Sequence, residues 1–233
     1  VARLARLYAP GITQLAFASF STELSRSNLL NGTIFTLIQG WLAGASQHYQ
    51  VPVHGWCIDQ DGIALLATPH EGSGLGRLMQ AIGRHLASQL VRGSVFAGRY
   101  HSCLIQNDRW VLPSLVWLES RAFSHSSFNP AEPWFWSSAG VHIGLQPSVW
   151  HSPHPDYWAC GNTPFDRQAQ YKRRLVLGNT RADTLAIEAA VRGQWALGDE
   201  QFLSALTQVA NRRPIALPRG RPKKCIASPK MTP

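Results

Sequence analysis

The chain has 233 residues, 45% of them hydrophobic, which is enough apolar side chain for one packed core and too much for general disorder. Lys and Arg outnumber Asp and Glu by 22 to 13, a net charge of +9, and four widely spaced cysteines form no Cys-x-x-Cys pair. That balance excludes a disulfide-stapled scaffold and a zinc ribbon, and it points to a polyanionic partner in a reducing, cytoplasmic setting, associated with the nucleoid.

No apolar run approaches the ~18 residues of a membrane span, and the opening VARLARLYAPG lacks the apolar core of a signal peptide, so no membrane partner is expected. Residues 11–20 alternate loosely and predict a first strand. Over 33–49, Ile34, Leu37, Ile38, Trp41, Leu42 and Ala45 recur at helical spacing. Residues 51–68 then read as a hairpin with Asp61-Gly62 at its turn, a pair favoured where positive φ is needed. On the outgoing strand Gly62 and Ala64 share one face, while Ile63 and Leu65 share the other. Neither Gly62 nor Ala64 carries a group that binds a metal or moves a proton.

The glycine-rich EGSGLG precedes a second helix over 75–90, in which Leu78, Ile82, Leu86 and Leu90 repeat every four residues. Residues 94–105 read as a fourth strand. Asn107 and Asp108 offer N-cap oxygens to a third helix, where Val111, Leu115 and Leu118 share a face and Pro113 falls in the first turn. The order strand, helix, strand, strand, helix, strand is the split βαβ pattern. It predicts an α+β, ferredoxin-like domain over 1–123, a four-stranded antiparallel sheet with helices on one face.

Residues 124–162 are rich in Ser, Pro, His and Trp without periodicity, and they read as an irregular wrap pinned by Trp134, Trp136, Trp150 and Trp158. His151-Ser152-Pro153-His154 has a metal-like spacing with no Cys or carboxylate beside it, and reads as a surface loop. Thr163-Pro164 followed by Asp166 marks a helix start, displaying Arg167, Lys172, Arg173 and Arg174. Further helices over 180–192 and 199–210, joined by GQWALG, complete a helical extension over 163–210. The pair has a helix-turn-helix outline without identifiable base-reading residues, so a plain helical hairpin is the simpler reading.

No acidic residue follows Glu200, and residues 211–233 form a basic tail. Within it, Arg219-Gly220-Arg221-Pro222 is the core of an AT-hook, with Lys223 and Lys224 following. Gly220 lets backbone approach a groove floor, and the two arginines suit the narrow minor groove of A·T tracts. Arg212 and Arg213 add phosphate contacts upstream. In the domain itself Arg77, Arg84 and Arg92 share roughly one helix side, with Arg99 on the next strand. A solvated face is the plain account of them, and a phosphate-tracking ridge is the sharper one.

Five stretches together, ARLARLYAPGI, LLATPHEGSGLGRLMQAIGR, AGRYHSCLI, QWALGDEQFL and RGRPKK, resemble the REP-associated tyrosine transposases, relatives of the IS200/IS605 single-strand transposases. The resemblance implies a ferredoxin-like nuclease domain that recognises DNA hairpins of repetitive extragenic palindromes. Its chemistry would be a tyrosine attacking a DNA phosphate, beside a divalent cation held partly by a His-hydrophobic-His motif. Here Gly62 and Ala64 stand where those histidines belong, and Trp117, in LVWLESRAF, stands where the tyrosine belongs. Arg121-Ala122 replaces the family's following Asn-Pro. Two imidazoles on one strand face converge on a cation, and an indole supplies no oxygen for a phosphotyrosine bond.

Catalytic groups act as a unit, so this divergent member is expected to have neither catalytic residue nor metal ligand nor cofactor. The function it implies is binding of hairpin, single-stranded or A·T-rich DNA without cleavage, as monomer or homodimer. An active single-strand endonuclease with Mg²⁺ or Mn²⁺ and relocated groups among His54, Asp59, Asp61, Tyr100 and His101 is the alternative. An interaction protein with a protein partner is a third.

Overall fold

Period-two alternation in four short segments builds one antiparallel sheet from β1 (Gln14–Ser19), β2 (Val53–Ile58), β3 (Gly62–Ala67) and β4 (His101–Leu104), in the order β2-β3-β1-β4. The helices are α1 (Thr22–Ser25), α2 (Gly32–His48), α3 (Gly74–Leu90), α4 (Val111–Glu119), α5 (Ala139–His142), α6 (Pro155–Trp158), α7 (Pro164–Leu177), α8 (Arg181–Gly193) and α9 (Glu200–Val209). This computed structural model describes residues 5–90, 94–123, 129 and 132–216. With β1 and β3 central and α2 and α3 as crossovers, the topology is the ferredoxin-like one that the element order predicts.

Each sheet face buries its own cluster. Ala16, Ala18, Ile63 and Leu65 pack with Ile38 and Leu42 of α2 and with Leu78 and Ile82 of α3. Each fully buried leucine or isoleucine contributes roughly 2 kcal/mol. On the opposite face Leu15, Ala64, Leu66 and Cys103 pack with Leu115 and Leu118 of α4, Tyr171 and Leu175 of α7, and Ile187 of α8. The helices expected on one face are thus α2 and α3, and α4 with the helical extension closes the other. The register pairs Ala64 with Phe17 and Gly62 with Ser19 across β1 and β3.

Local chemistry departs from the sequence expectation at several points. The hairpin turn uses no positive φ, because Asp59 Oδ1 accepts from the N–H groups of Asp61 and Gly62 at 2.9 Å each and holds the turn in ordinary backbone. Gly62 is required for space instead: a Cβ there runs into the Ala18 carbonyl oxygen, with the Phe17 ring at 3.0 Å. Asn107 does not cap α4. Trp110 occupies that position without a side-chain bond, and Asn107 Oδ1 accepts from Thr13 Oγ1 at 3.2 Å.

The fourth strand is much shorter than 94–105. Its ladder with β1 ends at the Phe17–His101 pair, residues 98–100 lie outside the strand, and the chain pairs again where Ala97 N–H donates to the Ser19 carbonyl at 3.0 Å.

The wrap docks as tryptophans predict, with one exception. Trp134 Nε1 donates to the Ile58 carbonyl at 2.7 Å, Trp136 Nε1 to Thr36 Oγ1 at 3.0 Å, and Trp150 lies 4.5 Å from the Trp56 ring. Trp158 is half exposed and pins nothing of the sheet; Arg167 covers it at 4.0 Å. Nor is 151–154 a surface loop, because His154 is buried and His151 half-buried within a hydrogen-bonded chain.

Candidate nucleic-acid interface

At one end of the sheet β1 finishes while β3 and β4 begin, and three adjoining cavities open there. The first, about 460 Å³, is lined by Ser19, Gly98, Arg99, His101, Gln194 and Arg212 among others. The second, about 290 Å³, shares Ser19 and His101 with it and adds Phe17, Trp117, Arg121, Glu188 and Arg192. The third, about 360 Å³, shares Phe17, Ser19 and Arg121 and reaches Arg26 and Asp61. Their shared walls make one groove with five arginines, Arg26, Arg99, Arg121, Arg192 and Arg212, against the carboxylates of Asp61 and Glu188.

Local sequence explains how these cations reach one place. Arg26 is the C-cap of α1, and Arg192 closes α8, where a cation complements the carbonyl end of the helix. Arg99 sits just before β4, outside the ladder. Arg26, Arg99 and Arg192 make no side-chain hydrogen bond or ion pair with another described residue, and all three are exposed. Arg212 is fixed: Nη2 donates to the Gln194 carbonyl, Nη1 to the Arg213 carbonyl at 3.2 Å, and the guanidinium lies over the Trp195 ring at 4.8 Å.

The middle of the groove is occupied by the chain itself. Arg121 places its guanidinium 3.9 Å from the Phe17 centroid and 5.2 Å from that of Trp117. Its Nε stands 3.2 Å from Asp59 Oδ2 without hydrogen-bond alignment, and its Nη2 stands 3.9 Å from Asp61 Oδ2. Burial raises the Asp59 carboxyl above its usual range, while Arg121 and the two turn amides pull it back. Phe17 lies across from Ala64, and Ala64 is buried in the same cluster that Trp117 packs against. Gly62 and Ala64 of β3 thus lie beside Phe17, and Phe17 and Trp117 both face the guanidinium of Arg121, which the carboxylates of Asp59 and Asp61 also face.

A buried carboxylate anchors that wall. Glu119, fully buried on α4, accepts at Oε1 from Ser138 Oγ (2.5 Å) and bonds His142 Nδ1 (2.6 Å), and accepts at Oε2 from Tyr171 OH (2.7 Å). His142 Nε2 continues to His151 Nε2 at 3.2 Å. A second chain joins His54 to Ser152 O and Thr68, then Thr13 to His154. Burial lowers the imidazoles of His54 and His154 to about 4 and that of His151 to about 3.

The sequence-derived site residues separate accordingly. Arg99 and Arg212 meet in the groove, and Arg213 is exposed just beyond. Arg77 and Arg84 lie on α3, which packs the other sheet face; Arg77 pairs with Glu71 at 2.5 Å. Arg92, Arg219, Gly220, Arg221, Lys223 and Lys224 fall outside the described residues. Arg26 and Arg192 escaped the sequence reading, although a cation ending a glycine-stopped helix was a usable signal for the latter. His54 belongs to the second hydrogen-bonded chain, Asp59 holds the hairpin turn and faces Arg121, and Tyr100 is buried beneath Arg6, 3.7 Å from its ring. None of the five tyrosines lines the groove. Among the described residues no group of three or more His, Cys, Asp or Glu side chains is placed to hold a metal ion, and no helix is long and apolar enough to cross a membrane.

Sheet order, paired crossover helices and a groove at the sheet end define a ferredoxin-like α+β domain with helical cover on its second face. Among solved structures, the chain is similar to a REP-associated tyrosine transposase bound to a REP hairpin, at 15% identity, over 65% of this chain and 92% of that one, with a TM-score of 0.51. At that identity the likeness is one of fold. No protein-family model and no curated protein matches the chain.

Proposed function

We propose that this protein binds DNA, holding a hairpin or a single strand in the arginine groove at the sheet end, and does not cut it. The carrying observation is the groove itself: Arg26, Arg99 and Arg192, exposed and unpaired among the described residues, line adjoining cavities on the fold that a hairpin-bound transposase shares. Cations aligned this way bind phosphates and release counterions, and the half-buried Phe17 and Trp117 rings on the same wall add apolar contact for a base.

The lack of cleavage is supported by Arg121. The residues present do not fit a divalent cation: Gly62 and Ala64 offer no donor atoms, and Asp59 and Asp61 already face a guanidinium whose charge opposes a metal ion. With Trp117 on the groove wall and every tyrosine elsewhere, a phosphotyrosine bond has no group to form it. The basic tail, with its Arg-Gly-Arg-Pro core, extends the same reading to A·T-rich duplex.

Fluorescence anisotropy with a labelled palindromic hairpin tests the binding. The expected result is saturable binding that weakens steeply between 50 and 200 mM salt, by an order of magnitude or more, on the order set by several phosphate contacts. Absence of binding at 50 mM salt, on the same low-salt scale, defeats the proposal.

A further inference from the structure

The largest cavity of the groove differs from the other two. Unlike them it has no Phe or Trp ring, and no carboxylate, among the described residues that line it. Its polar side chains are Ser19, Arg99, His101, Gln194 and Arg212. His101 Nδ1 is enclosed without a hydrogen-bond partner, and so is Arg212 Nε, although the rest of the Arg212 guanidinium is tied to backbone carbonyls. Arg99, just before β4, is exposed and has no hydrogen bond or ion pair among the described residues.

We infer that this cavity is a site for a terminal phosphomonoester of a DNA strand, an inference that rests on the DNA-binding reading above. Five donor-bearing side chains around one small chamber exceed what an internal phosphodiester needs, with one charge and two free oxygens. A terminal phosphate carries about −1.5 to −2 charges at neutral pH and three strong acceptor oxygens, which matches a guanidinium pair, an imidazole and a hydroxyl. The neighbouring cavity, with Phe17 and Trp117, then lies where the first base of the same strand would stack. Arg212 is pre-set by its carbonyl bonds and its stacking on Trp195, so binding orders few groups beyond Arg99.

The test compares three otherwise identical hairpins, labelled in the loop and bearing a 5′-phosphate, a 3′-phosphate or hydroxyls at both ends, by anisotropy titration. One phosphorylated form is expected to bind about tenfold tighter than the hydroxyl form, and Arg99→Ala and His101→Ala each to bring the phosphorylated and hydroxyl forms to equal affinity, whatever they do to hydroxyl-ended binding itself. Equal affinities for all three hairpins, or an increment that survives both substitutions, overturns the inference and leaves the DNA-binding reading standing. Should no hairpin bind, that reading fails by itself, and titration of ¹⁵N-labelled protein with a 5′-phosphorylated dithymidylate decides the pocket. Saturable shifts at the Gly98 and Arg99 amides then support it, and unshifted spectra overturn it.

Discussion

The Arg121 guanidinium lies 3.9 Å from the centroid of the Phe17 ring, joining the turn after α4 to the central strand β1, while the same group faces Asp59 and Asp61 of the hairpin turn. Arg121 and Asp59 are largely buried, so removing the cation leaves a carboxylate enclosed without its charge partner. Arg121→Ala should lower stability by about 1–3 kcal/mol in urea unfolding. A change below about 0.5 kcal/mol would show that the pair is incidental.

Gly62 sits where any Cβ meets the Ala18 carbonyl. Gly62→Ala should therefore destabilise by about 2 kcal/mol or more, well beyond a surface substitution, with thermal unfolding as the readout. By the same crowding, Gly62→His combined with Ala64→His should fail to create a metal site, since Ala64 is fully buried under α4. A double variant that folds normally and binds Mn²⁺ with micromolar affinity would contradict this packing.

Glu119 ties α4 to the wrap and to α7 through one carboxylate. Tyr171→Phe removes one donor and should cost about 1–2 kcal/mol. Glu119→Ala strips every partner at once and should cost about 3–5 kcal/mol. Equal small losses for both would mean that the three bonds do not act through a common acceptor.

Three imidazoles set the acid limit. Burial lowers His54, His151 and His154 from 6.5 to about 4, 3 and 4, so the unfolded chain binds more protons than the folded one in that interval. Their contribution is complete above pH ~6.5 and is lost as pH falls toward ~4. Burial raises Asp59 and Asp156, which gives the opposite dependence over a lower range. Denaturant midpoints should fall between pH 7 and pH 5, on the order of 1–2 kcal/mol per ring, and His54→Gln should flatten the slope. A flat profile over that range would refute the buried, neutral state of these rings.

Periodicity carried the fold well. The four strands, both crossover helices and the starts of α7 and α9 follow from apolar spacing and capping residues such as Thr163, whose side chain accepts an amide bond as expected. What spacing cannot carry is contact between distant segments. The closing of the second face by α4, α7 and α8, the Glu119–His142 bond and the meeting of Arg26, Arg99 and Arg192 each depend on residues far apart in the chain. The arginines read off as a helical ridge are on the wrong face for this groove: Arg77 and Arg84 ride on α3, behind the sheet.

That separation gives its own prediction. Arg192→Glu, in the groove, should weaken hairpin binding by at least about tenfold and reduce the salt slope by about one, whereas Arg84→Glu should change affinity by less than about threefold. Equal losses from both would place the DNA elsewhere.

The most direct measurement of the central claim mixes the protein with a labelled hairpin and Mg²⁺ or Mn²⁺, then runs one portion on a native gel and one on a denaturing gel. The account predicts a retarded band in the first and an oligonucleotide of unchanged length, free of protein, in the second. A covalent protein–DNA band or a shortened strand would contradict it, as would the loss of any retarded species at low salt.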